Sequence, residues 1–149
     1  MPRLKLAMPD HYPFTAMIPV RIVDVNYAGH LGNDTLLSIL HEARIQFLAA
    51  LDCSETDSCG KGLIMADAGL VYWAEAFYGD VLSISMAVRD FSMFGFDLYY
   101  LITTMRKDKQ VTIAHAKTLM VFFDYLEHLK AEVPVQFLEK IQKQESQIQ

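Results

Sequence analysis

The sequence predicts an α+β domain in which a curled antiparallel sheet wraps around one long central helix, with a short helix at the C-terminal end. Three observations carry this. One stretch, Asn33 to Leu51, repeats apolar residues at helical spacing and is apolar on most sides. Four strand-like runs follow it, with turn signals between them. A single buried helix followed by a meander has no partner helix to pack on, so the simplest cover for it is the sheet itself.

Each element has its own reason. Thr15 to Val23 reads as a first strand, with Pro19 tolerated near a sheet edge. The helix is capped by Asn33 or Asp34, whose short polar side chains suit the orphan N–H groups of a first turn. Leu36, Leu40, Ala43, Phe47, Ala50 and Leu51 share one face, and a helix this apolar is expected to be surrounded. A polar loop covers Asp52 to Gly62. The next strands are Leu63 to Tyr78, interrupted by Gly69, then Val81 to Arg89, Phe94 to Met105 and Val111 to Phe123. In the second of these Leu82, Ile84, Met86 and Val88 alternate with small residues. Gly79-Asp80 and Lys107-Asp108-Lys109 read as tight turns joining antiparallel neighbours. Val133-Pro134 opens the short helix, with Phe137, Leu138 and Ile141 inward, and the tail from Gln142 to Gln149 reads as frayed.

Composition narrows the function. The 149 residues read as one domain, with its core at about 15–140 and no repeat or linker. The hydrophobic fraction is 52%, yet no apolar run reaches the about 18 residues needed to span a membrane. The surplus apolar surface belongs to a core, a ligand tunnel or a subunit interface, and an oligomer is expected. The net charge of −5 without a basic block argues against a nucleic-acid partner. The N-terminus has no apolar stretch resembling a signal peptide, so a cytoplasmic location is the default. Cys53 and Cys59 are expected as free thiols. The histidines lack metal-ligand spacing, and no nucleophile elbow, phosphate loop or dinucleotide fingerprint is present.

The most informative segment is Val20 to Leu37. It reads as a strand that stops at a polar turn and re-enters as a helix, with Asn26, Gly29, His30 and Asn33 crowded into the turn. A helix N-terminus carries partial positive charge and unpaired donors, which suits a developing oxyanion. The pattern Arg21-x-x-Asp24-x-Asn26-x-x-Gly29-His30-Leu31-x-Asn33, followed by Glu42-Ala43-Arg44, resembles the 4-hydroxybenzoyl-CoA thioesterase and YbgC-like branch of the hot-dog acyl-CoA thioesterases. Gly79-Asp80, Ser92-x-Phe94, Ala114-x-Ala116 and Val121-Phe122-Phe123-Asp124 agree with it in order.

The resemblance implies hydrolysis of an acyl-CoA thioester by a homodimer or homotetramer, at a site on the dimer interface, without a metal or organic cofactor. The aspartate that usually serves as nucleophile or base in this branch corresponds to Asn26, an amide that cannot take a proton at neutral pH. Asn26 is then a group that polarises the thioester or orients water, or a turn residue bonded to its own backbone. His30 is a candidate base or donor, since its ordinary pKa lies near working pH. The residue count from Asn26 carries the family's backbone oxyanion donor to Asn33.

Glu42, on a polar arc with Ser38 and Gln46, is a candidate helix-borne base or a solvated carboxylate. Tyr27 and Gly29 fall within the turn motif as candidate substrate contacts. Asp67 either lines the site from the other subunit or belongs to a β-bulge, and Arg89 and Ser92 fall in the region that lies near the CoA phosphates in relatives, with an ordinary surface charge as the other reading of Arg89. Arg44 is expected to pair structurally, with Asp24 or Glu75. Competing readings are a hot-dog protein that binds acyl thioesters without turnover and a dehydratase-type enzyme using His30 and Glu42.

Overall fold

A computed structural model describes residues 1–147. The elements are β1 (Phe14–Pro19), α1 (Thr35–Ala49), β2 (Gly62–Tyr72), β3 (Val81–Arg89), β4 (Gly95–Arg106), β5 (Lys109–Asp124), β6 (Leu129–Lys130) and α2 (Val135–Ser146), with one 3-10 turn at Ile22–Asp24. The strands form one antiparallel sheet in the order β1-β3-β4-β5-β2, and β6 adds to the end of β5. Its inner face packs on α1 through one core cluster that includes Leu36, Leu40, Phe47, Ile84, Tyr100 and Phe122.

The sheet order corrects one expectation. Gly79-Asp80 does close a turn, but it does not join neighbouring strands: β2 pairs with β5 and β3 pairs with β1. Residues 73–80 therefore cross from one side of the sheet to the other. The Lys107-Asp108 hairpin does join neighbours. Both residues have positive φ, 49° and 62°, the handedness that matches the twist of a two-residue hairpin.

The first strand ends earlier than expected, at Pro19. Proline removes a ladder donor, and Asp24 then draws the chain into the 3-10 turn by accepting the Arg21 N–H at 2.8 Å. The helix is covered on one face only. Leu36, Leu40, Ala43 and Phe47 are fully buried, whereas Ile45 and Ala50 are exposed. Leu138 is half-buried, and α2 continues through Ser146, so 142–146 is helix and not a frayed tail. The last two positions of the tail, Ile148 and Gln149, lie outside the described residues.

Residues 3–11 are a strap that the sequence did not announce. A Cβ on Gly69 of β2 would meet Leu4 at 3.2 Å and Leu6 at 3.7 Å, while Arg89 of β3 donates to the His11 carbonyl at 3.3 Å. Because β4 and β5 lie between β2 and β3, the strap crosses the sheet's outer face. Outward-facing Ala87 and Tyr99 are buried.

Candidate active site

The turn before α1 is built by backbone bonds. The Asn26 N–H donates to the His30 carbonyl at 2.9 Å, and the Gly29 N–H donates to the Asn26 carbonyl at 3.0 Å. Gly29 has φ +88°, which a side chain would strain. The Asn26 Oδ1 accepts the Ala28 N–H at 3.0 Å, an Asx turn that leaves the amide Nδ2 uncommitted. Asn26 thus shapes the turn through Oδ1, and its Nδ2 has no hydrogen-bond partner among the described residues.

Buried Asp24 anchors this turn. It is gripped by the Arg21 N–H and guanidinium, and its own carbonyl accepts the Gly32 N–H at 3.1 Å. Burial pushes its carboxyl up, but the Arg21 hydrogen bonds outweigh this and hold it below the usual range. The first helical bond runs from the Leu36 N–H to the Gly32 carbonyl at 3.2 Å. The N–H groups of Asn33, Asp34 and Thr35 have no partner among the described residues, so three donors stand free at the positive end of α1. Neither Asn33 nor Asp34 caps the helix with its side chain. A Cβ on Gly32 would sit 2.9 Å from Asp34 Oδ1 and Thr35 Oγ1, so glycine keeps this entrance open.

His30 faces both ways. Its Nδ1 lies 3.2 Å from the Leu31 carbonyl, which can only accept, so Nδ1 carries a proton, and in the neutral tautomer that this bond selects Nε2 holds the lone pair. Nε2 lies 3.7 Å from the Glu75 carboxylate. Asn26, His30, Gly32 and Asn33 line a hollow of about 470 Å³, closed opposite by Tyr72, Trp73 and Glu75. The Tyr72 hydroxyl donates to the Asn33 carbonyl. Burial and the negative charge of Asp34 push that phenol up, so it remains a donor at neutral pH.

The other candidates lie elsewhere. Tyr27 is fully exposed beside the turn, and Gly29 shapes it without lining the hollow. Glu42 lines a separate hollow of about 560 Å³ between β1 and α1, where it accepts from Gln46 at 3.0 Å. The other charged groups there are also matched, Asp24 with Arg21 and His41 with Glu55. Asp67 sits at a register shift in β2, bonded to the Lys117 ammonium and the Leu119 N–H at 2.9 Å each. Arg89 is held by Glu145 at 2.8 Å, and Ser92 closes a turn by donating its N–H to Gly95 at 2.9 Å.

Arg44 pairs with Glu55 at 2.9 Å, not with Asp24 or Glu75, and also donates to the Tyr100 hydroxyl at 3.2 Å. Cys53 and Cys59 are free thiols. Among the described residues no cluster of three metal-type ligands occurs, and no helix is long and apolar enough to cross a membrane. Sequence reasoning named Glu75 only as a partner for Arg44 and missed its place beside His30, because residues 74–76 carry no motif and meet His30 only through the crossing of residues 73–80.

A model of the thioesterase-like superfamily matches residues 20–141, from the 3-10 turn into α2. The chain belongs to this superfamily. No relative among the curated proteins matches it. Solved structures share the hot-dog fold of these thioesterases. The 1,4-dihydroxy-2-naphthoyl-CoA thioesterase of Synechocystis is 24% identical, with a TM-score of 0.76 over 86% of this chain and 94% of that one. An Asp-to-Asn mutant of 4-hydroxybenzoyl-CoA thioesterase, complexed with 4-hydroxybenzoyl-CoA, is 18% identical with a TM-score of 0.78, over 86% and 97%. A Thermus thermophilus thioesterase complexed with coenzyme A and Zn is 20% identical with a TM-score of 0.78, over 93% and 98%. The superfamily's match thus contains the whole turn and excludes the strap.

Proposed function

We propose that this thioesterase-superfamily protein hydrolyses acyl-CoA thioesters, using the hollow between the Asn26–Asn33 turn and residues 72–76. The observation that carries the reading is three free N–H groups at the start of α1 beside an imidazole with a free Nε2. Thioester hydrolysis needs both. Water attacks the carbonyl carbon, and His30 Nε2 takes its proton. The oxyanion that forms is met by the N–H of Asn33 and its neighbours, with the Asn26 Nδ2 as a further donor. The imidazolium so formed, with the Glu75 carboxylate 3.7 Å from Nε2, returns its proton to the leaving CoA thiolate. Glu42 does not reach this turn within the protomer, so His30 takes the role of base.

The protein works as a homodimer joined through β2. Both edge strands are unpaired among the described residues, but β1 is short and ends in proline, a common guard against edge pairing. β2 is 11 residues long and exposes Ile64 and Met65, while at its far end the Tyr72 carbonyl accepts from Arg3. Pairing there would bring two hollows to one interface. Light scattering at micromolar concentration should return about twice the 17.0 kDa chain mass, and a monomer would remove the shared site.

A second reading has one observation behind it. Asn26 cannot be a nucleophile and Glu75 is the one carboxylate lining the hollow among the described residues, as in a protein that binds acyl thioesters without turnover. Thiol release measured across acyl-CoA chain lengths separates the two. Release that disappears in His30→Gln supports hydrolysis; binding without release from any acyl-CoA refutes it.

A further inference from the structure

We infer that Arg3, carried by the N-terminal strap, binds the phosphates of the CoA moiety at the rim of the candidate site. This rests on the acyl-CoA reading above and adds a binding residue from outside the superfamily's matched region, which starts at residue 20.

Of the five arginines, four are paired with carboxylates: Arg21 with Asp24 at 3.2 Å, Arg44 with Glu55 at 2.9 Å, Arg89 with Glu145 at 2.8 Å and Arg106 with Asp80 at 2.6 Å. Arg3 has no carboxylate partner among the described residues. Yet its side chain is held in place. The guanidinium carbon lies 4.6 Å from the centre of the Trp73 ring, and Nη2 donates to the Tyr72 carbonyl. Trp73 and Tyr72 are walls of the hollow that contains Asn26 and His30.

A guanidinium that rests over an aromatic ring is bound through its charge, which leaves its N–H donors for other partners, and the guanidinium fork matches two phosphate oxygens. The carbonyl bond uses only one of its five donors. Among the described residues the lining of the hollow contains no Lys or Arg: its one carboxylate is Glu75, the nearby Arg106 donates to the Glu75 carbonyl at 2.7 Å but is paired with Asp80, and the chain carries −5 overall. A ligand bearing several phosphates needs a compensating charge at the mouth, and Arg3 stands there. Arg89, which the resemblance pointed to, is committed to Glu145, the Val88 carbonyl and the His11 carbonyl. Its part is to hold the strap that positions Arg3.

The test is calorimetric binding of CoA to the full chain, with KM for an acyl-pantetheine thioester, which lacks the nucleotide phosphates. Arg3→Ala should weaken CoA binding about tenfold, a loss of one charge-assisted contact, and leave KM for acyl-pantetheine unchanged. Arg3→Lys should recover part of the loss. Equal CoA affinity in Arg3→Ala, or no CoA binding by the wild-type protein, overturns the inference. An equal loss on acyl-pantetheine also overturns it, by moving Arg3's anion to the acyl group. Arg3-dependent CoA binding without any thioester hydrolysis would remove the hydrolase reading alone.

Discussion

Replacing Asn26 by alanine separates the catalytic reading of the turn from its structural one. The turn keeps its two backbone bonds, Asn26 N–H to His30 and Gly29 N–H to Asn26, and loses only the Asn26 Oδ1 bond to Ala28 at 3.0 Å. That bond is exposed, so its loss costs about 0.5–1 kcal/mol, a shift of a few degrees in Tm. The loss of the Nδ2 donor falls on the transition state. It should lower kcat on the order of 10²-fold with little change in KM, because a donor aimed at the oxyanion adds little to ground-state binding. Asn26→Asp is the paired variant. It keeps an acceptor for Ala28 but replaces the donor with a negative charge facing the developing oxyanion, near Glu75, and should also slow turnover. Steady-state kinetics on the preferred acyl-CoA, with thermal unfolding of each variant, provide the measurements. Wild-type kcat in Asn26→Ala, or a faster Asn26→Asp enzyme with a new acidic limb in its pH profile, would refute the role given to this amide.

His30→Gln should lower kcat by about 10²- to 10⁴-fold and abolish the imidazole limb of the pH–rate profile, whereas Glu42→Gln should stay within about threefold of wild type; the reverse order would move the base to the helix. Glu55→Gln leaves the buried Arg44 guanidinium without its counter-charge and should cost about 1–3 kcal/mol in urea unfolding, discounted because Glu55 is partly exposed; no change in midpoint would show Arg44 satisfied by Tyr100 alone. Burial pushes the Asp80 carboxyl up, but hydrogen bonds from Arg106 and the Phe77 N–H outweigh this and hold it below its ordinary value. Its contribution to stability is therefore full above about pH 4 and is lost as pH falls through the lowered value. Unfolding midpoints between pH 7 and pH 2 should fall only at the acid end, and less steeply in Asp80→Asn.

The sequence alone determined the class of fold and singled out the turn at which the candidate site is proposed. Both rest on local chemistry: helical spacing in Leu36, Leu40, Ala43 and Phe47, alternation in Leu82 to Val88, and a polar turn at a helix start. Local periodicity says which residues face a core. It does not say which strand lies beside which, so Gly79-Asp80 read as a hairpin when residues 73–80 cross the sheet. Only that crossing brings Glu75 to His30, 45 positions apart in the chain. The separation of Glu42 from Asn26 was equally hidden, since both fit the same motif and the helix axis decides which hollow each one lines. The strap was the least legible. Residues 3–11 have no period of their own, and the outer face they cover exists only after β2, β5, β4 and β3 have been laid side by side. Contacts made by a segment without regular structure belong to the surface it lands on, and that surface is a product of the tertiary fold.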